Sequence, residues 1–445
     1  MPLGPKAPVT SDSGLRRGQA GVTPWALSAK SASALAGQAA ALERLLEEQP
    51  DADPTDVAYS LAGSRTSFRH RAVIVGADRG ELLTGLRAVA SGTPSPGVIT
   101  GRATRAGRTV FVFPGHGSVA AGVAAELLDT AEAFADHMRR CDEAFGEFID
   151  RSLVAALHGG PDSPRMDRDD TVQPLLFAVT ASLAAQWRAL GIEPDAVIGH
   201  SQGEIAAAYT AGALSLRDAA LVLSAQCNAA TELLGPGGMV SIPRPVDVVC
   251  DLINVWDDSI SIAERNSPSS TTVAGSARAI GALIERCQRE QLPVTRLPVP
   301  YAPHSADVEA LRDSLRETLS DVAPQSTGVT FISTVTGAAT DASVLNGDYW
   351  FANLRQPVLF EDAVRWAYGR GHRTFIECGP HQLLTADIEE SLDDYGDDPT
   401  VVGTLRRDDG SMRRFLMSVA ESHVRGKSAD WASVLDAACA GRRGS

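Results

Sequence analysis

The chain has 445 residues, room for about three folding units at roughly 150 residues each, so length sets no limit on a buried core. Forty Lys and Arg against fifty-five Asp and Glu give a net charge of −15, which argues against nucleic acid as a partner, because such binding rests on many basic phosphate contacts. With 40 Gly, 25 Pro and 44% hydrophobic residues, the composition is that of a globular protein rather than a fibrous or disordered one.

The first 21 residues lack the apolar core of a secretory signal and read as a disordered lead. Residues 31–48 have apolar positions at helical spacing with Ser31 as N-cap, and a second helix is expected near Asp56. Residues 69–76 (RHRAVIVG) predict a strand and 79–91 an amphipathic helix. Residues 91–107, rich in Gly, Pro, Ser and Thr, read as a linker. A buried strand follows at 109–114 (TVFVFP) and runs into Gly115-His116-Gly117.

Beyond it, short strands at 196–199, 240–242, 260–263, 271–274, 295–299, 330–333 and 374–377 alternate with helices, the pattern of a parallel, doubly wound α/β core. Between 237 and 299 strands dominate, with helices at 245–255 and 277–290, as in a small α+β insert. The longest uncharged apolar stretch, 171–187, is broken by Gln173, Pro174 and Ser182 and falls short of the ~20 residues a membrane helix needs. Cys141, Cys227, Cys250, Cys287, Cys378 and Cys439 form no CxxC pair and no zinc-type spacing. A cytoplasmic protein with no metal and no membrane partner is expected.

The chemistry begins at Gly199-His200-Ser201-Gln202-Gly203, a GxSxG between a predicted strand and the helix predicted over 204–213. Such a turn lifts a serine hydroxyl out of the sheet and points helix N–H groups at it, which suits a nucleophile whose attack creates an oxyanion. A Gly-rich helix start with Ser201 as an ordinary N-cap would look the same. A serine nucleophile needs a base, and His304, in Tyr301-Ala302-Pro303-His304-Ser305 after a strand-like run, is better placed than His372, His381 or His423.

In order, PWALSAKS (24–31), FVFPGHGS (111–118), VQPLLFAVTASLAAQW (172–187), GHSQGEIAAAY (199–209), GPGGM (235–239), NSPSS (266–270), YAPHS (301–305), YWFANLRQPVLF (349–360) and ECGPHQLLT (377–385) resemble the acyltransferase domains of modular type I polyketide synthases, with their flanking linkers. The resemblance implies an α/β-hydrolase-like large subdomain over 104–236 and 300–400, with a ferredoxin-like α+β small subdomain inserted at 237–299. It also implies a linker domain of the ketosynthase-acyltransferase type over 22–103 and a post-acyltransferase linker over 401–445.

The implied chemistry is a ping-pong transfer through an acyl-serine, in which Ser201 is deprotonated by His304 and the oxyanion is held by backbone N–H groups of Gln202 and His116. A carbonyl at Asn353 is expected to orient His304, and Asn266 and His200 to line the gorge. No cofactor is implied. The donor would be an acyl-CoA or acyl-phosphopantetheine, the acceptor an acyl carrier protein, and other synthase domains possible neighbours. A carrier protein is acidic as a rule, so Arg69, Arg71, Arg406 and Arg407 are candidate docking residues.

Departures from the family pattern bear on the substrate. Thirteen residues before Met239, where members using malonyl or methylmalonyl groups carry an Arg that grips the free carboxylate, this chain has Gln226. A neutral amide would leave such a carboxylate desolvated and unpaired. Malonyl-type members read HAFH and methylmalonyl-type ones YASH where this chain has YAPH, so Tyr301 and Pro303 shape a different pocket. His116 stands where Gln is usual, and Val119-Ala120 replace Gln-Trp. Together these point to loading of a non-carboxylated, starter-type acyl group, as in loading-module acyltransferases of antibiotic biosynthesis. The alternatives are an editing acyl hydrolase, a malonyl or methylmalonyl extender transferase and a non-catalytic scaffold.

Overall fold

A computed structural model describes residues 21–63, 67–104, 107–115, 122–159, 169–396 and 399–440. His116, Val119 and Ala120 lie outside the described residues. The strands are β1 (Thr23–Ala29), β2 (His70–Gly76), β3 (Val98–Arg102), β4 (Arg108–Phe113), β5 (Ala196–Gly199), β6 (Gly237–Ile242) and β7 (Ile260–Ser267). They continue with β8 (Ser270–Ser276), β9 (Thr295–Leu297), β10 (Thr330–Ser333), β11 (Ala338–Ala339), β12 (Val358–Leu359), β13 (His372–Glu377) and β14 (Thr400–Gly403).

The large sheet runs β11-β10-β5-β4-β13-β14 and is parallel except for the β10–β11 pair. Its apolar strands are buried on both faces, as parallel strands flanked by helices must be. Phe111, Phe113, Val197, Phe331 and Ile376 pack on one side with the helices Asp169–Ala189, Gly203–Ala211 and Leu216–Leu233. Val110, Val112, Ile198, Ile332 and Phe375 pack on the other with Phe360–Gly369 and Thr385–Leu392. This is the doubly wound core expected from the sequence.

The smaller sheet runs β12-β7-β8-β6-β9. Taken as first to fourth, β6, β7, β8 and β9 lie in the order 4-1-3-2 with helices after the first and third, a ferredoxin-like arrangement. One edge differs from expectation. The short strand β12, beyond the predicted insert, adds parallel to β7, because the chain leaving the helix Gly347–Arg355 continues extended through Gln356-Pro357, where proline disfavours helix in the residue before it.

The N-terminal sheet, β1-β2-β3, is antiparallel. Here the predicted linker is corrected: Val98–Arg102 is a strand within it, its β-branched residues masked by neighbouring Gly, Pro, Ser and Thr. Arg71 is also corrected as a docking residue. It is 7% exposed, and its guanidinium donates to the carbonyls of Phe68 and His423, whereas Arg69, Arg406 and Arg407 are exposed. Among the described residues no helix is long and apolar enough to cross a membrane. No group of three or more His, Cys, Asp or Glu among them could hold a metal ion.

Two buried histidines tie helices together. His137 bonds Ser182 Oγ at 3.0 Å and Tyr209 Oη at 2.8 Å, joining the helix Glu132–Phe145 to Asp169–Ala189 and to the helix that follows Ser201. His423 Nδ1 accepts from Trp431 Nε1 at 3.2 Å. Burial, with help from Arg140 and Arg71 respectively, pushes His137 down to about 4 and His423 down to about 3.

Both are therefore neutral in the folded state at pH values where the unfolded chain is protonated. The unfolded state holds more protons between about pH 6.5 and these values, so stability is fully present above that window and falls as pH drops through it, by roughly 3–5 kcal/mol per histidine. Glu377, pushed up to about 7 by burial, acts in the opposite sense over part of the same window, so the comparison must be made between variants. His137→Gln/His423→Gln is expected to lose less thermal stability between pH 6.5 and 4 than the wild type. Parallel melting curves of Tm against pH would contradict this.

Candidate active site

The strand β5 ends at Gly199 and the helix Gly203–Ala211 begins four residues later, so the chain reverses between them with Ser201 at φ +52°. A left-handed conformation at a non-glycine residue costs on the order of 1–3 kcal/mol and is kept only where the surroundings enforce it. They do so here through close backbone approach. A Cβ on Gly199 would lie 2.1 Å from Glu204 Cα, and one on Gly203 would lie 2.2 Å from Phe113 O. The motif's two flanking glycines are thus required by packing, and the N-cap alternative for Ser201 is not what the turn shows: the helix begins after Gln202, with no side-chain cap.

His304 also has a positive φ, +56°. Its Nε2 lies 2.8 Å from Ser201 Oγ and its Nδ1 lies 2.7 Å from the carbonyl oxygen of Gln356. A carbonyl can only accept, so Nδ1 carries the proton and Nε2 is left to accept from the serine hydroxyl. The backbone N–H of His304 donates to Leu354 O at 2.9 Å. Both carbonyls come from the C-terminal end of the helix Gly347–Arg355, where the last carbonyls lack intrahelical partners and the dipole favours a cation.

This corrects the expectation for Asn353. The orienting carbonyl belongs to Gln356, at the free end of the helix, whereas Asn353 uses its side chain: Nδ2 donates to Ser201 O and to Glu204 Oε2, each at 3.1 Å. Sequence reasoning missed Gln356 because a backbone carbonyl carries no residue-type signal. The proline after it, which forces the chain out of the helix, was the available cue.

Beneath the turn, Glu204 is fully buried. It accepts from Tyr349 Oη at 2.6 Å, from Thr334 Oγ1 at 2.8 Å, from the Thr334 backbone N–H and from Asn353 Nδ2. Burial raises its carboxyl, and these four hydrogen bonds pull the other way. Glu204 lies within the matched block 199–209, but nothing in its spacing distinguished it from a solvated helix glutamate.

Gln226, on the helix Leu216–Leu233, is completely buried. Its Nε2 donates to Trp350 O at 3.0 Å, and its Oε1 accepts from Gln202 Nε2 at 3.3 Å. The residue after the serine and the substituted position are thus joined directly. The Gln202 backbone N–H finds no acceptor among the described residues. Tyr301 and Pro303 are buried beside His304, held by the Gly237 N–H donating to Pro300 O at 2.9 Å, and Met239 is buried in β6. His200 Nε2 lies 2.8 Å from Asn266 Oδ1, and Asn266 Nδ2 donates to Glu264 Oε2 at 3.0 Å.

A hydroxyl paired with an imidazole in this way can form and collapse a tetrahedral adduct at a carbonyl carbon. Residues 110–429 match the family model "Acyl transferase domain", and residues 24–86 match "CurL-like, PKS C-terminal". The chain is 50% identical over 420 residues to Mycoketide-CoA synthase of Mycobacterium tuberculosis, covering 94% of this chain and 10% of that protein. It spans about a tenth or less of several curated relatives it matches.

Among solved structures it is similar to the acyltransferase domain from module 8 of the salinomycin polyketide synthase, with TM-score 0.89, 44% identity and coverage of 93% of this chain and 98% of that one. It is also similar to a loading acyltransferase from the avermectin modular polyketide synthase, with TM-score 0.68, 38% identity and coverage of 71% and 99%. On fold, serine turn and these likenesses, the chain belongs to the acyl transferase domain family of modular type I polyketide synthases.

Proposed function

We propose that this acyltransferase loads a non-carboxylated, starter-type acyl group from an acyl thioester, either coenzyme A or carrier-bound, onto the phosphopantetheine thiol of an acyl carrier protein. Ser201 Oγ attacks the thioester carbon as its proton passes to His304 Nε2. The oxyanion rests on the backbone N–H groups of Gln202 and residue 116, then collapses with cleavage of the C–S bond, and the departing thiolate takes the proton from His304. The carrier thiol reverses these steps. Asn353 holds the serine turn, His200 and Asn266 line the gorge, and Tyr301, Pro303 and Met239 shape the acyl pocket. Residues 22–103 and 401–445 serve as flanking linkers of a larger synthase.

The observation that carries the substrate class is Gln226. It is buried, neutral and already engaged by Gln202 and Trp350 O, so a second carboxylate on the acyl group would enter without the bidentate cation that ordinarily compensates its desolvation. The test is a competition between propionyl-CoA and methylmalonyl-CoA for acylation. The wild type is expected to take propionyl, and Gln226→Arg to shift the ratio toward methylmalonyl by about tenfold to a hundredfold. A wild-type preference for methylmalonyl would contradict the proposal.

A further inference from the structure

The serine turn is gripped at the carbonyls on either side of it. Where the chain enters, Thr334 Oγ1 lies 2.9 Å from Gly199 O and donates to it. Where the chain leaves, Asn353 Nδ2 donates to Ser201 O at 3.1 Å. Ser201 O also accepts from the Glu204 backbone N–H at 3.0 Å, so both of its lone pairs are engaged. The Asn353 amide has one possible orientation: it meets two acceptors, Ser201 O and Glu204 Oε2, so the nitrogen must face them. Tyr349 Oη, one helical turn before Asn353, donates to the same Glu204 oxygen at 2.6 Å.

We infer that Asn353 is a positioning residue of the oxyanion hole: by holding Ser201 O on one side of the Ser201–Gln202 peptide, it aims the Gln202 N–H out of the other side, at the acyl carbonyl. This rests on the reading of Ser201 as nucleophile and of the Gln202 amide as oxyanion donor. The peptide is trans, and in a planar trans peptide the C=O and N–H point in opposite directions, so fixing one fixes the other. A hydrogen bond into the carbonyl also polarises the peptide and strengthens its N–H as a donor. Gly115, on which a Cβ would lie 3.0 Å from Gln202 N, passes this amide without a side chain to crowd it.

The left-handed Ser201 gives this grip something to resist. At φ +52° the residue is strained, and such a conformation persists only where neighbouring groups hold it. The helix Gly347–Arg355 thereby serves both halves of the chemistry: Asn353 sets the peptide after the serine, and Gln356 O, just past the helix end, sets the Nδ1 of His304. Glu204 and Tyr349 act one step further out, by anchoring the Asn353 amide.

The test is the carbonyl stretch of the acyl-enzyme, read by infrared difference spectroscopy with carbonyl-¹³C propionyl-CoA, or methylmalonyl-CoA should that be the group taken, beside acylation rates for wild type and Asn353→Leu. Hydrogen bonds in an oxyanion hole weaken the ester C=O bond and lower its stretch. Asn353→Leu keeps the bulk and removes the donor. The stretch is expected to rise toward its value in the unfolded acyl-enzyme, and the saturated acylation rate to fall about tenfold to a hundredfold with KM within about twofold. An unchanged stretch, whatever the rate, would overturn the inference, because a residue that only stabilises the fold does not act on the ester carbonyl. Should that variant not fold, Tyr349→Phe, which slackens the anchor on Glu204 and keeps the ring, is expected to move the stretch the same way by less, and no movement overturns the inference. Failure of the underlying reading looks different. No wild-type adduct on Ser201 removes the nucleophile, and a wild-type stretch equal to that of the unfolded acyl-enzyme removes the oxyanion hole, and the inference falls with either.

Discussion

Ser201→Ala is expected to abolish the acyl-enzyme, and His304→Ala to slow its formation by about 10³–10⁶-fold. The serine hydroxyl has no chemical substitute in the turn, and it lies 2.8 Å from His304 Nε2, placed to accept its proton while Nδ1 donates to Gln356 O. Both residues occupy left-handed conformations, and Ala suffers that geometry as Ser does. Ser201→Ala should therefore leave stability unchanged within about 1 kcal/mol. The pairing of full stability with lost acylation, read by melting and by mass, separates a chemical role from a structural one. Retention of the adduct by Ser201→Ala would place the nucleophile elsewhere.

Glu204→Ala should be strongly destabilising, at about 2–4 kcal/mol. It takes an acceptor from the Tyr349 hydroxyl, the Asn353 amide, and both the hydroxyl and the N–H of Thr334. Tyr349 keeps Ser333 Oγ, the Thr334 hydroxyl keeps Gly199 O and Asn353 keeps Ser201 O, so the Thr334 N–H is the donor that loses its acceptor outright, at roughly 1–3 kcal/mol, with the weakened network adding to it. The effect reaches the chemistry through Asn353, which also holds Ser201 O. Glu204→Gln, which retains an acceptor and the shape, is expected to lose less than half as much. Urea unfolding of the three proteins measures this, and a loss below about 1 kcal/mol for Glu204→Ala would show that the network carries little stability.

The parts of the fold legible in the sequence were those whose local pattern and tertiary role agree. β5 and β10 fall at their predicted bounds, and the helix Ala32–Glu48 is capped by Ser31 as expected. Strands that depend on distant partners were hidden. β3 has a weak β-branched signal inside a linker-like composition, and β12 is two residues long, added to a sheet whose other strands lie far away in sequence.

At the site, Ser201 and His304 announce themselves by residue type and turn context. Gln356 acts through its backbone and gives no such signal. Glu264 was obscured by a register shift between Ile262 and Glu264, which places Ala263 and Glu264 in the interior consecutively. Simple strand alternation would expose one of any two neighbours.

The most direct test of the proposed substrate class and chemistry is intact-protein mass spectrometry after incubation with acetyl-, propionyl-, isobutyryl-, longer and aromatic acyl-, malonyl- and methylmalonyl-CoA, with the decay of each adduct followed in buffer. A lasting monocarboxylic adduct that maps to Ser201 and moves to an added carrier protein is expected. A malonyl or methylmalonyl adduct formed in preference would contradict the role given to Gln226, and loss of every adduct to water faster than to the carrier thiol would contradict transfer itself.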